Sequence, residues 1–166
     1  MECDDQALAV RVERLASQLT AKGHRLVTAE SCTGGWIAKV CTDRAGSSAW
    51  FEEGLVTYSN AAKARRLGVA AATLECFGAV SRETAIAMAD GALGGEAGRV
   101  AVAVTGIAGP RGGSADKPVG LVWFAWAWPG EAVMADSVRF SGDREAVRRQ
   151  TVAHALDGLL RPGPAD

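Results

Sequence analysis

Apolar residues fall at helical spacing near the start of the chain, then in short strand-length bursts separated by further helical stretches. Leu8, Val12, Leu15 and Leu19 form one stripe within residues 6–22, and Lys22-Gly23 marks its end, so a helix is expected there. Arg25–Ala29 has the length and character of a buried strand. Trp36–Cys41 returns to helical spacing and stops near Ala45-Gly46. Leu55–Tyr58 is expected as a second strand, and Asn60 can cap a short helix over Ala61–Leu67. Ser81, with Glu83 in the following turn, opens a helix that runs to about Leu93. Arg99–Thr105 (RVAVAVT) is a third strand rich in β-branched residues, and residues 106–118 (GIAGPRGGSADKP) form a Gly/Pro-rich loop. Val119–Trp128 and Ala132–Phe140 flank Pro129-Gly130, which signals a hairpin. Asp143–Leu160 is the final helix, with Val147, Thr151, Ala155 and Leu159 on one side.

Strands alternating with helices, followed by a hairpin, predict an α/β fold: a three-layer α/β/α sandwich around a mixed sheet of about five strands. A length of 166 residues suits a single domain, 1–166, with its core over about 6–160. Trp123, Trp126 and Trp128 lie on a hairpin strand, where core packing or a subunit interface suits them better than ligand stacking.

Composition narrows the function. A net charge of -1 argues against nucleic acid as a partner, and the basic doublets Arg65-Arg66 and Arg148-Arg149 are expected on solvated helix faces. The N-terminus MECDD is acidic where a secretion signal would be basic, and no apolar run would span a membrane, so a cytoplasmic protein without membrane attachment is expected. Cys3, Cys32, Cys41 and Cys76 show no CxxC pairing, and His24 and His154 are isolated; reduced thiols and no metal site are expected.

Candidate chemistry gathers in three loops: Glu30–Gly35, Tyr58–Asn60 and Gly106–Pro110. Each follows the carboxyl end of an expected strand. If those strands run parallel, all the loops open on the sheet edge where α/β folds hold ligands. In TAESCTGG (Thr28–Gly35), Ser31 would stand beside free backbone N–H groups and the positive end of a helix dipole, which suits an oxyanion-forming nucleophile. Ser31 or Thr33 could equally serve as a plain helix cap, and the segment alone favours the cap. Cys32 is the rival nucleophile, but no histidine is well placed to activate it, and a small buried residue is the better reading. The scarcity of histidine also weakens a Ser-His-Asp triad, and the G-x-S-x-G elbow is absent. A serine can instead use lysine or tyrosine as its base. Lys63, one of only four lysines, follows Tyr58 at the same strand end; the plain alternatives are a solvated lysine and a core tyrosine.

Taken together, TAESCTGG, AGSSAWFEEGLVTYSNAAK, LGV, GAVSRETAIAMADG, VTGIAGPRGGSADKPVGLVW and FSGDREAVR closely resemble the CinA C-terminal domain, the nicotinamide-nucleotide amidohydrolase family, over about residues 6–160. The departures are small: AGSS, EEG and ARRLGV stand beside the motifs where the family commonly has slightly different residues.

The resemblance implies hydrolysis of nicotinamide mononucleotide to nicotinate mononucleotide and ammonia, without metal or organic cofactor. By the same resemblance Ser31 is the nucleophile, Lys63 the proton acceptor and Tyr58 a residue that relays or orients that proton. Backbone N–H groups around Thr33, Gly34 and Gly35 would hold the oxyanion. Thr105 and Gly106 would line the pocket, and Arg144 and Arg148 would contact phosphate or carboxylate. A small-molecule substrate and a homo-oligomer, dimer or higher, are expected. Two other classes stand beside this reading: an idle nucleotide-binding module, and an interaction protein of competence or recombination, which the near-neutral charge disfavours as a direct DNA binder.

Overall fold

In the computed structural model, which describes residues 3–161, five strands form one mixed sheet. They are β1 (Arg25–Glu30), β2 (Phe51–Val56), β3 (Arg99–Gly106), β4 (Leu121–Ala127) and β5 (Met134–Arg139), in the order β2-β1-β3-β4-β5. β2, β1 and β3 are parallel, and β4 and β5 join antiparallel beyond β3. The expected three-layer architecture and mixed sheet are therefore present.

Alternation along the strands assigns each face. Leu26, Val100, Val102, Val104, Val122, Phe124 and Trp126 pack under α1 (Asp5–Lys22), α2 (Trp36–Asp43) and α6 (Arg144–Leu160). The intervening Val27, Ala29, Ala101, Ala103, Ala125 and Ala127 face α3 (Asn60–Leu67), α4 (Ala71–Phe77) and α5 (Arg82–Leu93). The second face is mostly alanine, so α5 can lie close on the sheet. Gly91 brings it close to α3 as well: a Cβ there would come within 2.0 Å of the Leu67 carbonyl oxygen.

The helix ends follow local chemistry. Asp4 accepts from the Ala7 N–H, Ser81 from Thr84 and Asp143 from Ala146. The expected Asn60 cap is displaced by one residue: Ser59 accepts from the Ala62 N–H, and Asn60 is the first helical residue. β2 begins at Phe51 and ends at Val56, earlier than the expected Leu55–Tyr58. Its Phe-Glu-Glu-Gly start is tolerated because β2 is an edge strand, and Glu52 pairs with Arg25 of the adjacent β1 (3.8 Å) and with Arg99 of β3, one strand further in (2.7 Å). α4 was not expected, because neither a capping side chain nor a long apolar stripe announces it.

Trp126 and Trp128 are buried in the core, and Trp123 packs half-buried on the alanine face. His154 is held against Phe124, Trp126 and Phe140, and this burial pulls its pKa below the usual histidine value. Arg148 and Arg149 are not a solvated pair: their guanidinium groups lie 5.2 and 4.9 Å from the Trp36 ring centroid. No helix among the described residues is long and apolar enough to cross a membrane.

Candidate active site

The parallel strands β1, β2 and β3 deliver their following loops to one edge of the sheet, as the loop pattern suggested. Ser31 continues β1: its N–H donates to the Val104 carbonyl at 3.0 Å. Strand parity then sends neighbouring side chains to opposite faces. Glu30 follows Leu26 and Thr28 toward α2, whereas Ser31 follows Val27 and Ala29 toward α3. On that side stands Lys63, in the first turn of α3.

Lys63 is only 1% exposed and Ser31 is 8% exposed. The lysine Nζ lies 2.8 Å from Ser31 Oγ, 2.8 Å from the Thr57 carbonyl oxygen and 3.2 Å from the Tyr58 carbonyl oxygen. Burial pulls its pKa down to about 8, from 10.5. A neutral amine has two N–H bonds and one lone pair. Donating the two hydrogens to the carbonyls leaves the lone pair for the serine hydroxyl.

Tyr58 is 59% exposed, so it is not a core aromatic. Its hydroxyl accepts from Arg144 Nη2 at 3.1 Å, and only its carbonyl touches Lys63. The tyrosine ring thus stands at the rim rather than between lysine and serine. Arg144 also donates to the Gly109 carbonyl at 2.9 Å, linking the loop after β2 to the loop after β3.

Cys32 is buried, and desolvation, with some help from the charge of Glu30, pushes its thiol up to about 12. It is a poor thiolate at neutral pH. Of the remaining expected residues, several are committed to the scaffold. Thr33 Oγ1 donates to Glu30 Oε2 at 2.6 Å, and Thr105 Oγ1 donates to the Ala79 carbonyl at 2.7 Å. The Gly34 N–H donates to the Ser31 carbonyl (3.1 Å) and the Gly35 N–H to Glu30 (3.1 Å), so neither is free to hold an oxyanion. Gly106 has a packing role, since a Cβ there would lie 2.7 Å from a Val122 methyl and 2.8 Å from the Leu121 carbonyl oxygen.

Arg148 spends two donors on the serine loop, Nε to the Cys32 carbonyl (3.1 Å) and Nη2 to the Thr33 carbonyl (2.8 Å). In a trans peptide the carbonyl and the following N–H point in opposite directions. Holding the Cys32 carbonyl on Arg148 therefore turns the Thr33 N–H away from it. Among the described residues, neither the Cys32 nor the Thr33 N–H finds an oxygen acceptor. The Thr33 amide, one of the three expected, and the Cys32 amide before it, which also faces its own thiol, are the donors beside Ser31 that no oxygen claims.

The family model of the CinA C-terminal domain matches residues 9–162. The chain belongs to this family. Within the CinA C-terminal domain family it is 54% identical over 156 residues to the nicotinamide-nucleotide amidohydrolase PncC of Escherichia coli K12, covering 93% of this chain and 94% of that one. It is 55% identical over 150 residues to the Pseudomonas putida protein of the same name, covering 90% and 93%. Among solved structures, the competence/damage-inducible protein CihA of Agrobacterium tumefaciens superposes with a TM-score of 0.89 at 48% identity, covering 93% of this chain and 94% of that one.

Against the motifs of this CinA domain, sequence reasoning passed over Glu30. Its signal was an acidic residue ending an apolar strand, followed by Gly34-Gly35 where a serine or threonine cap would ordinarily stand.

Proposed function

We propose that this protein hydrolyses the carboxamide of a nicotinamide nucleotide, with nicotinamide mononucleotide as the first candidate, to the carboxylate and ammonia. The observation that carries the mechanism is the buried 2.8 Å contact between Lys63 Nζ and Ser31 Oγ. The names of the relatives supply the substrate class.

In this reading Ser31 Oγ forms a bond to the amide carbon while its proton passes to the Lys63 lone pair. The Cys32 and Thr33 N–H groups stabilise the resulting oxyanion. The carbon–nitrogen bond then breaks, Lys63 returns the proton to the departing amine, and ammonia leaves. Water then attacks the acyl carbon as Lys63 accepts one of its protons. The carbon–Oγ bond breaks, Lys63 returns that proton to Ser31 Oγ, and the acid leaves as its carboxylate after losing its remaining proton to solvent. Tyr58 and Arg144, at the rim, are suited to hold the nucleotide rather than to move protons. Every step runs on groups of this chain, without metal or organic cofactor.

The direct test is ammonia release from nicotinamide mononucleotide, with nicotinamide, its riboside and the dinucleotide as competitors. Ser31→Ala should lower kcat by at least about a thousandfold, the scale lost with a covalent nucleophile. Cys32→Ala should keep most of the activity. The reverse ranking would move the nucleophile to the cysteine, and nucleotide binding without ammonia release would favour an idle binding module.

A further inference from the structure

Among the described residues, Glu30 is the only buried carboxylate side chain, and it is buried without a cationic partner. Five donors meet it instead. Oε1 accepts from Thr28 Oγ1 (3.2 Å) and the Ala38 N–H (2.8 Å). Oε2 accepts from Thr33 Oγ1 (2.6 Å), the Gly35 N–H (3.1 Å) and the Ile37 N–H (3.0 Å). Burying a carboxylate costs several kcal/mol before compensation. A serine or threonine at the cap position would satisfy a helix start at far less cost, yet Gly35 stands at the cap of α2 and offers no side chain to it.

What Glu30 accomplishes, and an ordinary cap could not, is closure of the serine loop. The carboxylate belongs to the residue immediately before Ser31. Its partners are in the middle of the loop (Thr33), at its end (Gly35) and in the first turn of α2 (Ile37 and Ala38). The segment that presents Ser31 Oγ to Lys63 and leaves the Cys32 and Thr33 amides free is thus wrapped around one charged group. Arg148 fixes the same loop from outside through its carbonyls.

We infer that Glu30 is a positioning residue for amide hydrolysis: it sets the height of the Ser31 hydroxyl and the direction of the neighbouring amides without touching the substrate. This rests on the Ser31–Lys63 reading. Glu30→Gln is the sharpest probe, because the amide keeps the shape but replaces one acceptor oxygen with a donor. With its NH2 at the Oε1 position, Thr28 can rotate to accept, but the Ala38 N–H then faces another donor.

The experiment measures kcat and KM on nicotinamide mononucleotide, the melting temperature, and the rate at which a fluorophosphonate phosphonylates Ser31 with loss of fluoride. Folded Glu30→Gln should lose about a hundredfold in kcat with KM nearly unchanged, the scale of a displacement of about 1 Å at a reacting atom. The phosphonylation rate should fall in parallel. Thr33→Val should lose about tenfold in kcat and Thr33→Ser clearly less, since a hydroxyl is restored to Oε2. A folded Glu30→Gln whose kcat stays within about threefold of the wild type, or whose loss lies in KM alone, overturns the inference. Should Glu30→Gln fail to fold, the threonine pair decides: equal kcat for Thr33→Val and Thr33→Ser overturns it. Ser31→Ala separates the two levels of argument, because turnover surviving that change removes the serine mechanism whatever Glu30 does.

Discussion

A lysine closed off from water is held at a cost. Lys63 is 1% exposed, and its pKa of about 8 against 10.5 corresponds to about 3 kcal/mol against the charged form. The catalytic sign follows from the need for a free amine: kcat/KM should rise with pH along a limb centred near 8, belonging to the lysine–serine pair as a unit. The stability sign follows from proton counting. Between about 8 and 10.5 the folded state has released the proton that the unfolded state still holds, so stability increases with pH across that window. Lys63→Met should abolish turnover, raise the melting temperature at pH 7, and show a smaller gain than the wild type between pH 8 and 10.5; a variant less stable at pH 7 would contradict this. Lys63→Arg should be inactive too, since guanidinium keeps its proton. Tyr58 is a different case. Its hydroxyl faces Arg144 rather than Lys63, so Tyr58→Phe should act mainly on KM and cost much less than any change at Lys63. Steady-state kinetics in which kcat falls about a hundredfold would return the tyrosine to proton transfer.

Elements carry these residues, and their contacts set the precision. α3 is only a short helix, yet it carries Lys63, the proposed base, and Gly91 of α5 fits directly against its last carbonyl. Gly91→Ala removes a glycine from a helix interior, which by propensity alone should stabilise by roughly 0.5–1 kcal/mol. Here the added methyl would meet backbone at 2.0 Å, so one of the two helices must shift. The expected outcome is a lower melting temperature together with a loss of at least about tenfold in kcat, although Gly91 never approaches the substrate. A stabilised and fully active variant would show that α3 tolerates the shift. The same scale explains what was legible beforehand. α1, α5 and α6 announce themselves through caps and apolar stripes that act within a few residues. α4 and the start of β2 lack such signals, because packing and cross-strand ion pairs hold them instead.

At the scale of the whole molecule, the β2-β1-β3 arrangement places the loop of the serine between the loops of the tyrosine and the Gly-rich segment. The reaction should need only what that edge contains. No group of three or more histidine, cysteine, aspartate or glutamate side chains among the described residues could hold a metal ion. Dialysis against a strong chelator should therefore leave the ammonia-release rate unchanged; a loss that zinc or magnesium restores would defeat the expectation.

The sequence by itself determined the α/β order of elements, most helix starts, the loops that bear chemistry and the family, because periodicity, caps and motifs are written locally. It left open whether Ser31 was a cap or a nucleophile, and whether Lys63 was solvated. The surroundings of both side chains depend on residues far apart in the chain. Strand parity sends Ser31 toward α3 and Glu30 toward α2, the alanine face lets helices approach closely, and burial turns an ordinary lysine into a weak base beside a hydroxyl. Of the three amides expected to hold an oxyanion, Thr33 stays available while Gly34 and Gly35 do not, for the same kind of reason. A backbone amide is free only if nothing else in the folded molecule claims it, and Glu30 and the Ser31 carbonyl claim those two.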